Sequence, residues 1–338
     1  MIEVRNLVKR FGSKYAVDDI SFSIGEGEVV GFLGPNGAGK STTMNIITGY
    51  TSSTLGTVEI GGVDILEYPI GAKRLIGYLP EQPPLYVDMT VREYLNFVYE
   101  LKGCTLNRKK HLEEICKVVK ITDDYNKNRL IKNLSKGYKQ RVGIAQALIG
   151  NPSIIILDEP TVGLDPKEII EIRSLIRNLG RAHTVILSTH ILSEVQAVCD
   201  RILIINSGKL IADEKAENIV NLLEGGRRLN ARICGPQREI LNTLRTIPDV
   251  RRVEAVGERE GDSYLYAIES ASGADVRKAL FNLLAANSWP LIGLEMQSTS
   301  LEDIFISLVD TKQNTKKTAD KPKFDIKSST ENTAEEEN

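Results

Sequence analysis

Long hydrophobic runs are missing from this sequence. No window approaches the ~18–20 consecutive apolar residues that a membrane-crossing helix needs, and the opening residues, Met1-Ile2-Glu3-Val4-Arg5, carry no apolar signal-peptide core. The expectation is a chain that acts at a membrane only through a partner. Cysteine is sparse too. Cys104, Cys116, Cys199 and Cys234 form no C-x-x-C pair and no metal-ligand spacing with His111, His183 and His190. That argues against a zinc site or a disulfide framework and for reduced thiols in a cytosolic protein. Nor does either sign of charge dominate: 43 Lys and Arg against 45 Asp and Glu leave a formal net charge of −2. No global basic field is present to hold nucleic acid, and none is expected as a partner.

What is present is a soluble-protein composition, 41% hydrophobic and 26% charged over 338 residues, enough chain for two domains. One stretch organises it. Gly34-Pro35-Asn36-Gly37-Ala38-Gly39-Lys40-Ser41-Thr42 fits the P-loop pattern G-x-x-x-x-G-K-[S/T], between an apolar strand (28–33) and the first turns of a helix (43–47). That strand–loop–helix context gives the motif its meaning. Glycines let backbone N–H groups converge on a β-phosphate, with the positive end of a helix dipole behind them. Lys40 can reach β- and γ-phosphate oxygens, and the Ser41 hydroxyl is placed to ligate Mg2+.

Ahead of this loop, alternating apolar residues broken by Gly12, Gly25 and Gly27 read as antiparallel strands. From about 90 to 150 the pattern turns helical. Thr90-Val91-Arg92-Glu93 is a capping box that opens one helix; Leu112, Ile115, Val118 and Val119 mark a second; a third runs over 136–149. They predict a helical subdomain, about 85–150, inserted into an α/β core. Strands over 154–157, 185–188 and 202–205 alternate with a helix over 167–179, implying a mainly parallel sheet covered on both faces. The chain leaves this domain near 224. Residues 229–297 read β-α-β-β-α-β, the order of a small ferredoxin-like sandwich within a 227–310 accessory α+β domain. A last short helix begins at Leu301, and the polar stretch 311–338 is expected to be disordered.

Two further stretches carry chemistry. Ser153-Ile154-Ile155-Ile156-Leu157-Asp158-Glu159 is an apolar strand ending in two carboxylates. Asp158 at its tip suits the Mg2+ shell, and Glu159 the role of general base or water-orienting group. Leu134-Ser135-Lys136-Gly137-Tyr138 opens the third helix. Ser135 is a natural N-cap; alternatively its hydroxyl, the Gly137 backbone and the helix N-terminus present donors to a phosphate. His111, on a polar helix face, and His183, in a turn, read as solvated surface residues, and Tyr94 and Tyr99 as packing.

Taken together, residues 2 to about 220 resemble the ATP-binding subunits of ABC transporters, a P-loop NTPase fold with a mainly parallel sheet, antiparallel strands and the inserted helical subdomain. The resemblance rests on motifs in order: Gly34–Thr42 as Walker A, Gln82 as Q-loop, Leu134–Gln140 as signature, Ile154–Glu159 as Walker B with its glutamate, Gly163-Leu164-Asp165 as D-loop and His190 as switch histidine. Phe11 falls where the family has an aromatic that stacks on adenine. The signature departs from the commoner Leu-Ser-Gly-Gly-Gln but keeps the serine and second glycine, and the variant looks like that of the gliding-motility and drug-export group.

The resemblance implies ATP hydrolysis with Mg2+ and two such subunits, identical or not, packed head to tail. Ser135 and Gly137 would then serve the partner's γ-phosphate, His190 would contact the γ-phosphate, and Gln82 would link Mg2+ to the helical subdomain. It also implies a separate transmembrane permease docked beside residues 83–89, an exporter at the cytoplasmic face of the membrane, and work coupled to dimer closure. The rival is a soluble ABC ATPase acting on a non-membrane assembly scaffold. A ribosome-acting relative would usually carry two P-loops, and a chromosome-type one a long coiled coil; neither is present in the sequence.

Overall fold

The computed structural model describes residues 1–219, 228–271 and 274–297. The expected boundary near 224, the helix from Leu301 and the tail 311–338 lie outside those residues.

Parallel strands rich in Ile, Val and Leu form the centre. β3 (Val29–Leu33), β6 (Ile76–Leu79), β7 (Ile154–Asp158), β8 (Thr184–Thr189) and β9 (Arg201–Asn206) run parallel, with β10 (Lys209–Lys215) added antiparallel at one edge, in the order β10-β9-β3-β8-β7-β6. Every residue of β3, β7 and β8 is buried, as expected of strands covered on both faces. One cover is a second, antiparallel sheet made of β1 (Ile2–Phe11), β2 (Lys14–Ile24), β4 (Leu55–Ile60) and the two-residue β5 (Val63–Asp64), in the order β2-β1-β4-β5. Phe22 and Phe32 meet between these sheets with ring centroids 5.7 Å apart.

The other face is covered by helices. α1 (Lys40–Ile47) and α2 (Pro69–Arg74) pack with the antiparallel sheet, whereas α3 (Val91–Leu101), α4 (Arg108–Val118), α5 (Thr122–Asn126) and α6 (Lys136–Leu148) lie on this other face and make up the inserted subdomain. α7 (Pro166–Leu179) and α8 (Leu192–Val198) complete the core packing. The subdomain thus holds one helix more than the sequence pattern suggested; α5 is a single short turn sequence without an apolar period. Val118, read as part of the apolar face of α4, is 48% exposed, whereas Val119 is buried.

Two histidines correct their sequence reading. His111 is half-buried and its Nε2 accepts the Gly150 amide at 3.1 Å, so burial pulls its pKa below the ordinary value. His183 is likewise half-buried, its Nδ1 2.7 Å from the Pro152 carbonyl. Both tie a loop to its neighbour. Tyr94 and Tyr99 are buried, as read. The Tyr94 hydroxyl donates to the Gln146 side chain and approaches the Pro84 carbonyl at 3.2 Å, so that α3, α6 and the loop before α3 share one anchor.

Beyond the first core, β11 (Arg228–Cys234), β12 (Val250–Glu260), β13 (Ser263–Ser270) and β14 (Leu291–Gln297) pair antiparallel in the order β12-β13-β11-β14. Helices Gln237–Leu244 and Arg277–Ala286 complete a β-α-β-β-α-β run with its own core around Leu229, Ile240, Tyr266 and Leu280.

The capping box is present. The Thr90 hydroxyl accepts the Glu93 amide at 3.2 Å, and the Glu93 carboxylate accepts the Thr90 amide at 2.8 Å. The Thr90 amide, and the Thr90 hydroxyl at 2.9 Å, both donate to the Glu93 carboxylate and hold it below its ordinary pKa of 4.5. Thr90→Ala should cost about 1 kcal/mol and lower Tm by roughly 2–4 °C, while Thr90→Ser should not. Because the folded-state pKa is depressed, the carboxylate's contribution is present above pH 4.5 and lost as pH falls through the folded value. Thermal unfolding of the two variants at neutral and acidic pH checks this.

Candidate functional site

Three loops leave adjacent parallel strands at the same edge of the sheet. β3 feeds residues 34–39, β7 ends in Asp158 and leads to Glu159, and β8 leads to His190. Carboxyl ends of parallel strands are where α/β sheets bind ligands, since the loops diverge there and helix N-termini point inward. α1 begins at Lys40 with Gly39 as its N-cap, and no side chain caps it. Its first amides therefore face the loop as donors suited to an anion. Gly39 sits at φ +111°, and a Cβ there would lie 2.4 Å from the Ala16 carbonyl oxygen. A Cβ on Gly34 would lie 2.3 Å from that of Ile205. Only glycine fits either place.

Lys40 is 5% exposed. Its ammonium donates to the carbonyls of Gly34 at 2.9 Å and Pro35 at 3.3 Å, and lies 3.3 Å from Glu159 Oε1. His190 Nδ1 is 3.0 Å from Glu159 Oε2 and 3.1 Å from Oε1. Glu159 is thus clasped from two sides, and its backbone is held at φ +50°, a left-handed value rare for glutamate. Asp158 is 2% exposed, and its Oδ1 has no hydrogen-bond partner among the described residues. Burial pushes its carboxyl above the ordinary value, opposed by the hydroxyls of Ser188 and Ser41 and by the Lys40 charge.

Lys40, Glu159 and His190 line a cavity of about 530 Å3 whose wall also includes Phe11, Gly37 and Ser41, with Asn36, Gly39 and Thr42 completing the loop side. Phe11 stands 57% exposed at the tip of the β1–β2 hairpin, the Lys9 ammonium 5.0 Å from its ring centroid. Gly34 and Ala38 are buried and Pro35 half-buried within the loop itself. Gln82 lines a neighbouring cavity of about 720 Å3, which it shares with Ser41 and Asp158. A buried carboxylate oxygen without a partner, a serine hydroxyl and an amide on one cavity wall form a set of hard oxygen donors. They fit Mg2+.

Ser135, Gly137 and Asp165 line neither cavity. Ser135 N-caps α6, accepting the Tyr138 amide at 3.3 Å, and its hydroxyl lies 3.3 Å from Glu168 Oε1. Asp165 N-caps α7 by accepting the Glu168 amide at 2.9 Å. The signature and D-loop segments therefore meet each other, through Glu168, outside the P-loop pocket. Sequence reasoning missed Lys14 and Glu81, both on the 530 Å3 wall. Lys14 could have been found as the hairpin partner of Phe11 across the Gly12 turn; Glu81 adjoins Gln82.

Burial with one carboxylate oxygen left without a partner among the described residues makes Asp158 a cost to the metal-free fold. Its raised folded-state pKa means that stability falls as pH rises from the ordinary carboxylate value of 3.8 through the folded value. Asp158→Asn should raise the Tm of metal-free protein by a few degrees at neutral pH. It should also remove the additional thermal stabilisation that wild type gains from Mg2+ with nucleotide. Thermal shift with and without Mg2+ checks both.

Comparison with known proteins agrees with this geometry. A family model described as ABC transporter matches residues 17–162. The chain is 34% identical to the linearmycin resistance ATP-binding protein LnrL of Bacillus subtilis, over 91% of this chain and 98% of that protein. It is 32% identical to the bacitracin transport ATP-binding protein BcrA of Bacillus licheniformis, over 91% and 97%. The solved dimeric, post-hydrolysis ATP-binding cassette MJ0796 with ADP and Pi aligns with a TM-score of 0.58 and 31% identity, covering 64% of this chain and 99% of that one. A P-loop pocket carrying a glutamate and a histidine, in a cassette similar to these, places the chain in the ABC transporter family as an ATP-binding subunit with ATPase activity.

Proposed function

We propose that the chain is the ATP-hydrolysing subunit of a membrane exporter whose permease is a separate chain, and that it works at the cytoplasmic face of the membrane. One observation carries the reading. The pocket gathers Phe11, Lys40, Ser41, Glu159 and His190, while Ser135 and Gly137 head another helix outside it. A single chain thus offers two half-sites, and a second ATP-binding subunit, a copy or a relative, would complete each. Phe11 would stack on adenine. The loop amides and Lys40 bind the β- and γ-phosphates, and the partner's α6 N-terminus closes over the γ-phosphate. Ser41, Gln82 and Asp158 would hold Mg2+, which supplies charge neutralisation across the phosphate oxygens. Glu159 orients the attacking water or takes its proton, and His190 fixes the Glu159 carboxylate and faces the γ-phosphate.

Closure has to move something. In the segment 83–89, Leu85 and Met89 pack inward, whereas Tyr86 is 55% and Val87 43% exposed. Tyr86 rests edge-on against Phe97 with centroids 5.5 Å apart. This apolar knob beside Gln82 suits a permease helix. The export direction draws on the relatives' names, linearmycin resistance and bacitracin transport. Residues 227–310 are proposed as a ferredoxin-like accessory domain fused to a cassette of residues 1–224.

Glu159→Gln should bind ATP without hydrolysing it and hold the closed dimer. Tagged and extracted from source-cell membranes in mild detergent with ATP, it should bring a polytopic membrane protein in fixed ratio. Recovery in the soluble fraction alone, or with a soluble scaffold, contradicts the transporter reading and leaves the ATPase intact.

A further inference from the structure

Below the pocket lies a buried carboxylate that the mechanism above does not use. Glu194, on α8, is 1% exposed. Its Oε1 accepts the Thr161 hydroxyl at 2.5 Å and its Oε2 the Thr189 hydroxyl at 2.8 Å. Thr161 is two residues past Glu159, and Thr189 immediately precedes His190. The Thr189 hydroxyl in turn accepts the Ile191 amide at 3.2 Å, so this chain of bonds passes on both sides of His190. The Arg173 guanidinium, from α7, lies 3.8 Å from Glu194 Oε1 and 3.4 Å from the Ser193 hydroxyl. Buried charges are retained only where partners satisfy them, and here the partners are a turn residue and a strand-end residue that flank the proposed water-handling pair.

We infer that Glu194 is a positioning residue for hydrolysis: by bonding Thr161 and Thr189 together it sets the distance between Glu159 and His190, and through Arg173 it ties that distance to α7, the helix that Asp165 caps. The inference rests on the roles given to Glu159 and His190 under the proposed function. Neither Glu194 nor its threonines line the nucleotide pocket. Loss of the bracket should therefore leave ATP binding in place and misplace the glutamate–histidine pair, which is held in contact at 3.0–3.1 Å. A displacement of about 1 Å in such a pair can cost on the order of a hundredfold in rate.

The test is steady-state ATPase kinetics and nucleotide affinity of the full chain. Glu194→Ala should lower kcat by roughly ten- to a hundredfold with KM for ATP and ADP affinity within about threefold of wild type. Glu194→Gln, which can keep both bonds by reversing one hydroxyl, should fall between wild type and Ala. If Glu194→Ala fails to fold, Thr161→Val should reproduce the loss of kcat and Thr161→Ser should restore it. A folded Glu194→Ala with wild-type kcat overturns the inference. So does a loss of ATP affinity in step with kcat, which marks a general structural role. Residual hydrolysis by Glu159→Gln at the wild-type rate would instead sink the assignment of Glu159, a separate failure.

Discussion

Three ionisable groups, Lys40, Asp158 and Glu159, are each at most 6% exposed and line two adjoining cavities, and that burial constrains the rest of the molecule. Removing a carboxylate or an ammonium from water costs several kcal/mol, which a contact of 3.3 Å between Lys40 and Glu159 offsets only when further polar groups satisfy both. Lys40 is satisfied by two loop carbonyls and Glu159 by His190, whereas Asp158 keeps an oxygen without a partner. Such a pocket is poor as a stabilising device and suited to a polyphosphate with its cation. It persists because β3, β7 and β8 are fully buried and stiff, and the apolar cores on both faces of their sheet supply the stability that the charges do not.

The pocket connects outward by short bonded links rather than by long-range fields. α7, capped by Asp165, touches Ser135 through Glu168 and reaches Glu194 through Arg173. Tyr94 joins the loop after Gln82 to α6, and the Lys102 ammonium bonds the last carbonyls of that helix at 2.9–3.2 Å. α6 is thus held at its N-terminus by Glu168 of α7 and at its C-terminus by Tyr94 of α3 and the adjoining Lys102. A rigid helix so anchored moves as a unit with those neighbours.

Much of this was legible in the sequence because it depends on local pattern. The P-loop needs glycines at fixed spacing, the strand before Asp158 needs an unbroken apolar run, and the capping box at Thr90 needs a glutamate three residues on. Short elements without a period were not legible: β5, α2 and α5 are each six residues or fewer. Contacts between distant segments were equally out of reach. Nothing in the neighbourhood of His111 or His183 announces their carbonyl and amide partners, and Glu194 reads as an ordinary polar helix position until β7 and β8 bring Thr161 and Thr189 beside it. The left-handed backbone of Glu159 is likewise a product of the fold, since its amide is bonded to the Ser188 carbonyl at 2.8 Å across the sheet edge.

The central claim is that one chain contributes two halves of different sites, and mixed subunits test it most directly. Lys40→Ala disables the P-loop half, and Gly137→Asp places a carboxylate at the N-terminus of the signature helix. Each variant alone should be inactive. If two copies pair head to tail, an equimolar mixture forms heterodimers in which one site is wholly intact, and ATPase activity should return to about a quarter of wild type. If each chain instead completes its own site, the mixture will hydrolyse no more ATP than the separate variants, although the subunits associate.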